Sequence, residues 1–143
     1  MMDYKQDIET EMNEYLLSIG DIQPYMHMNQ LSDEMLEMIL IGTIISTNSV
    51  FSVWGYYHDQ INENLFKMKR HIMIYKWIRG IEDLGLKIMI TPDVIKIFSD
   101  AHDGYIKEHP AMMRYMRDLA DNYCHWFYYF KYLNELKKRR NQK

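Results

Sequence analysis

No proline falls between Pro24 and Pro92, and over that span only Gly42, Gly55, Gly80, Gly85 and the polar cluster from Ser46 to Ser49 weaken helix propensity. The whole chain of 143 residues holds 3 Pro and 6 Gly. So few turn formers cannot delimit the many short strands of a sandwich or barrel, which leaves helices. The expected class is all-α, with about five helices, two of them long and amphipathic. The length suits one compact domain over residues 1–143, with an acidic helical region at 1–45 and a basic long-helix region at 46–143.

Apolar spacing places the elements. Ile8, Met12, Tyr15, Leu16 and Ile19 predict a first helix that Gly20 would end. Ser32 is a natural N-cap for a second, with Asp33 and Glu34 in its first turn. After a break near Ser46 to Ser49, Val50, Trp54, Tyr57, Ile61, Leu65, Met68, Ile72 and Tyr75 form an apolar stripe that predicts one long helix. Gly80 and Gly85 punctuate its end, and Leu86 to Ile90 is the one segment whose pattern would pass for a short buried strand. Thr91-Pro92-Asp93 is a strong helix start. Pro110 fits the first turn of a last long helix, in which Met112, Met116, Leu119, Tyr123, Trp126, Phe130 and Leu133 keep an unbroken helical step. Two such helices in so small a chain expose much apolar surface, so a homo-oligomer is expected.

Compartment follows from what is missing. One Cys, Cys124, makes neither an internal disulfide nor a zinc ribbon. The longest apolar run, Met38 to Ile45, falls far short of the ~20 residues a membrane span needs. Residues 1–14 are acidic, unlike a signal peptide. A cytoplasmic protein is expected. Thirteen Met, abundant Ile and Tyr and scarce Ala match an AT-rich genome such as many phages have, which would make the compartment the host cytoplasm.

The net charge of −3 conceals an asymmetry. Residues 1–63 carry 11 acids and one base, Lys5, a net −10, whereas residues 64–143 carry 16 bases and 9 acids, a net +7. Either the halves neutralise one another on folding, or the basic half is a surface for phosphates. Its cations cluster twice: Lys67, Lys69, Arg70, Lys76 and Arg79, beside Tyr75 and Trp77, and then Lys137, Lys138, Arg139 and Arg140. Lys and Arg neutralise phosphates by releasing counterions, while aromatic rings accept unstacked bases, so the mixture favours single-stranded nucleic acid over duplex. No helix-turn-helix, zinc-finger or RNA-module signature accompanies it, and sequence-specific reading is not expected.

Catalytic signatures are sparse. The order His27, His58-Asp59, Asp121 is similar to that of HD-superfamily metal phosphohydrolases, where His and carboxylates hold divalent ions. No Gly-rich phosphate loop, His-Glu-x-x-His or Gly-x-Ser-x-Gly occurs. A non-enzymatic protein without cofactor is therefore expected. The chief alternative to nucleic-acid binding is a helical protein-interaction module, such as a viral inhibitor of a host protein, binding through its acidic half and its Met and aromatic surface.

Tyr105-Ile106-Lys107-Glu108, Met112-Met113, Leu119 and Leu133-Asn134-Glu135-Leu136-Lys137-Lys138-Arg139 resemble the C-terminal helices of the UvsY recombination mediators of tailed phages. Upstream, Lys67, Lys69 and Arg70 leading to Tyr75-Lys76-Trp77-Ile78-Arg79-Gly80 are similar to that family's long Lys-rich helix. The likeness spans roughly residues 45–140. His109-Pro110 departs from it, as does the lack of a further segment after the final Arg. The resemblance implies an oligomer that binds single-stranded DNA and helps a RecA-like recombinase displace single-strand-binding protein, with Lys67, Lys69, Arg70, Lys76 and Arg79 on the DNA.

Overall fold

The computed structural model describes residues 28–47 and 52–141. Among these are seven α-helices and no strand: α1 (Asp33–Ile44), α2 (Val53–Tyr57), α3 (Lys69–Asp83), α4 (Pro92–His102), α5 (Tyr105–Glu108), α6 (Ala111–Asn122) and α7 (Tyr129–Asn141). The all-α class holds, with more and shorter helices than expected. The helix expected from Ile8 to Ile19 lies outside the described residues.

The chain is organised around α1. Ser32 Oγ accepts the Met35 N–H at 3.1 Å, the N-cap its sequence implies. From Met35 to Ile45 every residue is buried. A helix apolar on all sides is stable only inside, and α3, α6 and α7 pack around this one. Gly42 permits the closest approach, since a Cβ there would stand 2.6 Å from the Leu119 carbonyl oxygen of α6. Beside it, Thr43 Oγ1 donates to the Ile39 carbonyl at 2.7 Å and accepts the His125 N–H at 2.8 Å. Tyr129 Oη, from the first turn of α7, donates to the Leu40 carbonyl at 3.1 Å.

Neither expected long helix is continuous. The first is cut after Tyr57 by two 3₁₀ turns, His58–Gln60 and Glu63–Leu65. Asn62 Oδ1 accepts the Asn64 N–H at 2.9 Å, so the Asn side chains compete with the helical ladder there. The second is cut at residues 123–128. There the His125 N–H goes to Thr43 rather than to the carbonyl four residues back, and α7 restarts in a different phase. Tyr129, Tyr132, Leu133 and Leu136 face the core, while Phe130, which the unbroken step would bury, is 42% exposed.

Because both halves of that interrupted helix fold back onto α1, the apolar stripes are covered within one chain. α3 ends at Gly85, whose φ of +74° is a left-handed stop that favours glycine. Residues 86–90 take no regular secondary structure, and only Ile90 of the five is buried, so this segment is not the buried strand its pattern would allow. α4 starts as expected: Thr91 Oγ1 accepts the Val94 N–H at 3.2 Å, with Pro92 at the first helical position.

Candidate functional site

Three acids at the start of α1 meet the cations of α3 and α7. Lys69 and Arg70 occupy the first turn of α3, the positive end of its dipole, where cations are unfavourable and no side chain of the cap residue Met68 helps. Glu37, 1% exposed, supplies the compensation. Its Oε2 accepts the Lys67 N–H at 2.9 Å and Arg140 Nη2 at 2.7 Å; its Oε1 accepts the Met68 N–H at 3.2 Å and pairs with His71 Nδ1 at 2.8 Å. Burial works against this carboxylate, yet the hydrogen bonds from His71, Lys67 and Met68 outweigh it and hold its pKa below the usual range.

His71 is fully buried, and its other nitrogen, Nε2, faces the Tyr115 hydroxyl. Donating to Glu37 and accepting from Tyr115 is the pattern of a neutral imidazole, and burial lowers the His71 pKa accordingly. Burial also pushes the Tyr115 hydroxyl up to about 12. Arg70 pairs with Glu34 and lies over the Tyr115 ring, 4.9 Å from its centre.

The two arginines closing α7 form a clasp. Arg139 bonds Asp33 at 2.9 Å, Glu135 at 2.9 Å and the carbonyls of Leu31 and Met28 at 2.6 and 2.9 Å. Arg140 bonds Asp33 at 2.9 Å, Glu37 at 2.7 Å and the Leu65 carbonyl at 2.8 Å. Their side chains are only 18% and 10% exposed. The same arginine pairs hold the Asp33 carboxyl below its ordinary value.

The residues expected on nucleic acid therefore divide. Tyr75 and Trp77 are buried and cannot stack on bases: Tyr75 Oη donates to the Ile61 carbonyl at 3.0 Å, and Trp77 Nε1 to Asp103 at 2.8 Å. α3 is covered on both flanks, by Trp54 and Phe66 against Tyr75 and by Tyr105 against Trp77. Arg70, Arg139 and Arg140 are committed to carboxylates of α1, so these arginines are held within the fold rather than displayed. Arg79 pairs with Glu82 at 2.9 Å, and Lys76 has Glu63 at 3.9 Å. Lys67, Lys69, Lys137 and Lys138 make no ion pair among the described residues.

Two of these lysines meet. Lys67 and Lys137 face an open groove of about 790 Å³ with Arg139 and Arg140 in its wall, the amides of Gln60, Asn62, Asn64 and Asn141 around it, and no carboxylate in the lining. Lys69 and Lys138 do not line it. The groove joins residues 60–67 to residues 137–141, a juxtaposition no local pattern announces. Sequence reasoning also missed three exposed aromatic rings near the head of α7: Tyr56, Phe127 and Phe130. Tyr56 and Phe127 lie off the two apolar stripes, which was the one signal in the sequence; Phe130 lies on a stripe and gave none.

Of the phosphohydrolase-like set, His27 lies outside the described residues and His58 Nδ1 sits 3.1 Å from the Gly55 carbonyl. No group of three His, Cys, Asp or Glu suited to a metal occurs among the described residues. None of the described helices is long and apolar enough to cross a membrane. Comparison with protein-family models, with curated proteins and with solved structures gave no match to this chain.

Proposed function

We propose that this chain is a non-enzymatic accessory protein that binds single-stranded nucleic acid through its lysine groove. The observation that carries the reading is the carboxylate-free wall shared by Lys67 and Lys137, backed by two arginines. Arg139 and Arg140 shape that wall, but their charges are met by Asp33, Glu37 and Glu135, so the lysines are the cations the groove offers a strand. Lys69 and Lys138 extend the field outside the groove. Amide side chains between the cations can satisfy sugar and phosphate oxygens without selecting a base. Loading of a RecA-like recombinase in a phage, the role implied by the resemblance to UvsY mediators, extends this reading to a specific setting.

If four lysines each neutralise one phosphate, affinity for a single strand should fall roughly 50-fold between 50 and 200 mM salt. Fluorescence anisotropy of a labelled oligothymidine checks this. The Lys67→Glu/Lys137→Glu variant should lose at least about tenfold in affinity at 50 mM salt while melting like the parent, because both lysines lie outside the ion-pair network. Binding that ignores salt, or that survives the double reversal, would overturn the proposal.

A second reading has its own observation. Leu84, Leu86, Ile88 and Met89 are all exposed, beside an open apolar cleft of about 600 Å³ to which Ile44, Val53, Trp54 and Ile81 contribute. Such a patch fits the protein-interaction module. On that reading the chain retains a defined protein from nuclease-treated host lysate, and Ile88→Glu/Met89→Glu abolishes retention without altering the melting curve. Retention that persists in this variant would remove the cleft from consideration.

A further inference from the structure

We infer that the exposed rings at the head of α7 are the base-stacking platform for the strand whose phosphates the groove holds. This rests on the nucleic-acid reading above and supplies the stacking groups that Tyr75 and Trp77 do not. Phe127 is 63% exposed, Phe130 42% and Tyr56 68%. Large apolar rings at such exposure gain from an aromatic partner, and every nucleobase offers one.

A chain of ring contacts leads from Tyr56 to the head of α7. Tyr56 packs edge-on to Tyr57 at 4.8 Å, and Tyr57 lies 5.2 Å from Tyr129, the first residue of α7. Phe127 and Phe130 flank that residue in the chain. Two routes join the region to the groove. One is the short turn from Tyr57 to Gln60, which lines the groove. The other is α7 itself, where Phe130, Asn134, Lys137, Lys138 and Asn141 recur at helical spacing on one face. Asn134, Lys138 and Asn141 are exposed, and this face carries no carboxylate.

Charge also fits this occupant. Lys131 Nζ lies 4.9 Å from the centre of the Phe130 ring, so a cation stands beside the platform as well as along the track. A helix of 13 residues is about 20 Å long. Phe130 and Lys138, eight residues apart on it, stand about 12 Å from one another, which takes about four nucleotides at a stacked rise of 3.4 Å. A strand of that length places bases on the rings and phosphates at Lys138 and Lys137 together.

The test compares two ligands of equal charge, a 12-nucleotide oligothymidine and an abasic sugar–phosphate 12-mer, at 50 mM salt. The parent should bind the oligothymidine at least about tenfold more tightly. Phe127→Ala/Phe130→Ala should erase that preference, weakening oligothymidine binding about tenfold while leaving the abasic strand unchanged, and Phe130→Trp should retain the preference. The exposed positions leave the fold intact, which a melting curve of each variant verifies. A double variant that binds oligothymidine like the parent, or a parent without preference, overturns the platform and leaves the groove standing. A parent that binds neither strand overturns the groove and the platform together.

Discussion

Replacing Glu37 by alanine should cost about 3–5 kcal/mol of folding stability and lower the melting temperature by roughly 10 °C. The cost does not measure one ion pair. Removing this carboxylate strips a partner from Arg140, the acceptor from His71 Nδ1, and the acceptors from the Lys67 and Met68 N–H groups at the start of α3. Each is a polar group left behind in a nearly dry site, and such orphaned groups cost more than a satisfied pair contributes. Glu37→Gln keeps an acceptor of the same shape and should lose distinctly less. Thermal and urea denaturation of the two variants checks the ranking, and a loss under about 1 kcal/mol for alanine would show that the network does not depend on this residue.

Acidification should act on the same region in two stages. His71 and His125 are both held neutral by burial, His125 with its pKa lowered to about 4. In the unfolded chain each takes a proton near pH 6.5. Below that value the unfolded state binds protons that the folded state refuses, so stability declines by up to about 1.4 kcal/mol per pH unit for each histidine, down to the folded pKa. Glu37 and Asp33 then add a second loss of the opposite origin. Their folded pKa values are depressed, so their stabilisation is present above the unfolded carboxylate values near 4 and vanishes as pH falls through the folded ones. Melting temperatures should be level from pH 8 to 7 and fall progressively from about 6.5 downward. His71→Gln and His125→Asn together should flatten the limb between pH 6.5 and 4.5. A parent equally stable at pH 7 and pH 5 would contradict the burial of these rings.

The parts of this fold that could be read from the chain are those decided by neighbours in sequence. Ser32 and Thr91 cap helices because a hydroxyl three residues ahead of an N–H needs nothing from elsewhere. The interruptions were hidden because helical spacing tells which residues are apolar without telling whether the backbone between them is continuous. Leu119 and Leu133 reach the same core from two different helices. Asn62 and Thr43 make the cuts, one by a local turn and the other from 82 residues away.

The candidate site divides along similar lines. Charge asymmetry singled out these cations as a set, yet it could not distinguish arginines that close the structure from lysines that make no ion pair among the described residues. That distinction rests on Asp33, Glu34 and Glu37, three acids on one short helix, each directed to a partner 34 to 107 residues away. Of the two explanations for the opposite halves, mutual neutralisation accounts for Arg70, Arg139 and Arg140. The lysines are what is left over.

The placement of α1 at the centre also dictates when the molecule is completed during synthesis. Leu40 meets Tyr129 across 89 residues, Thr43 meets His125 across 82, and Met28 meets Arg139 across 111. A nascent chain leaving the ribosome displays its most water-averse helix long before the segments that enclose it exist. The core therefore cannot close until residues 129–141 have emerged, and until then the exposed stretch from Met35 to Ile45 is the natural target for a chaperone.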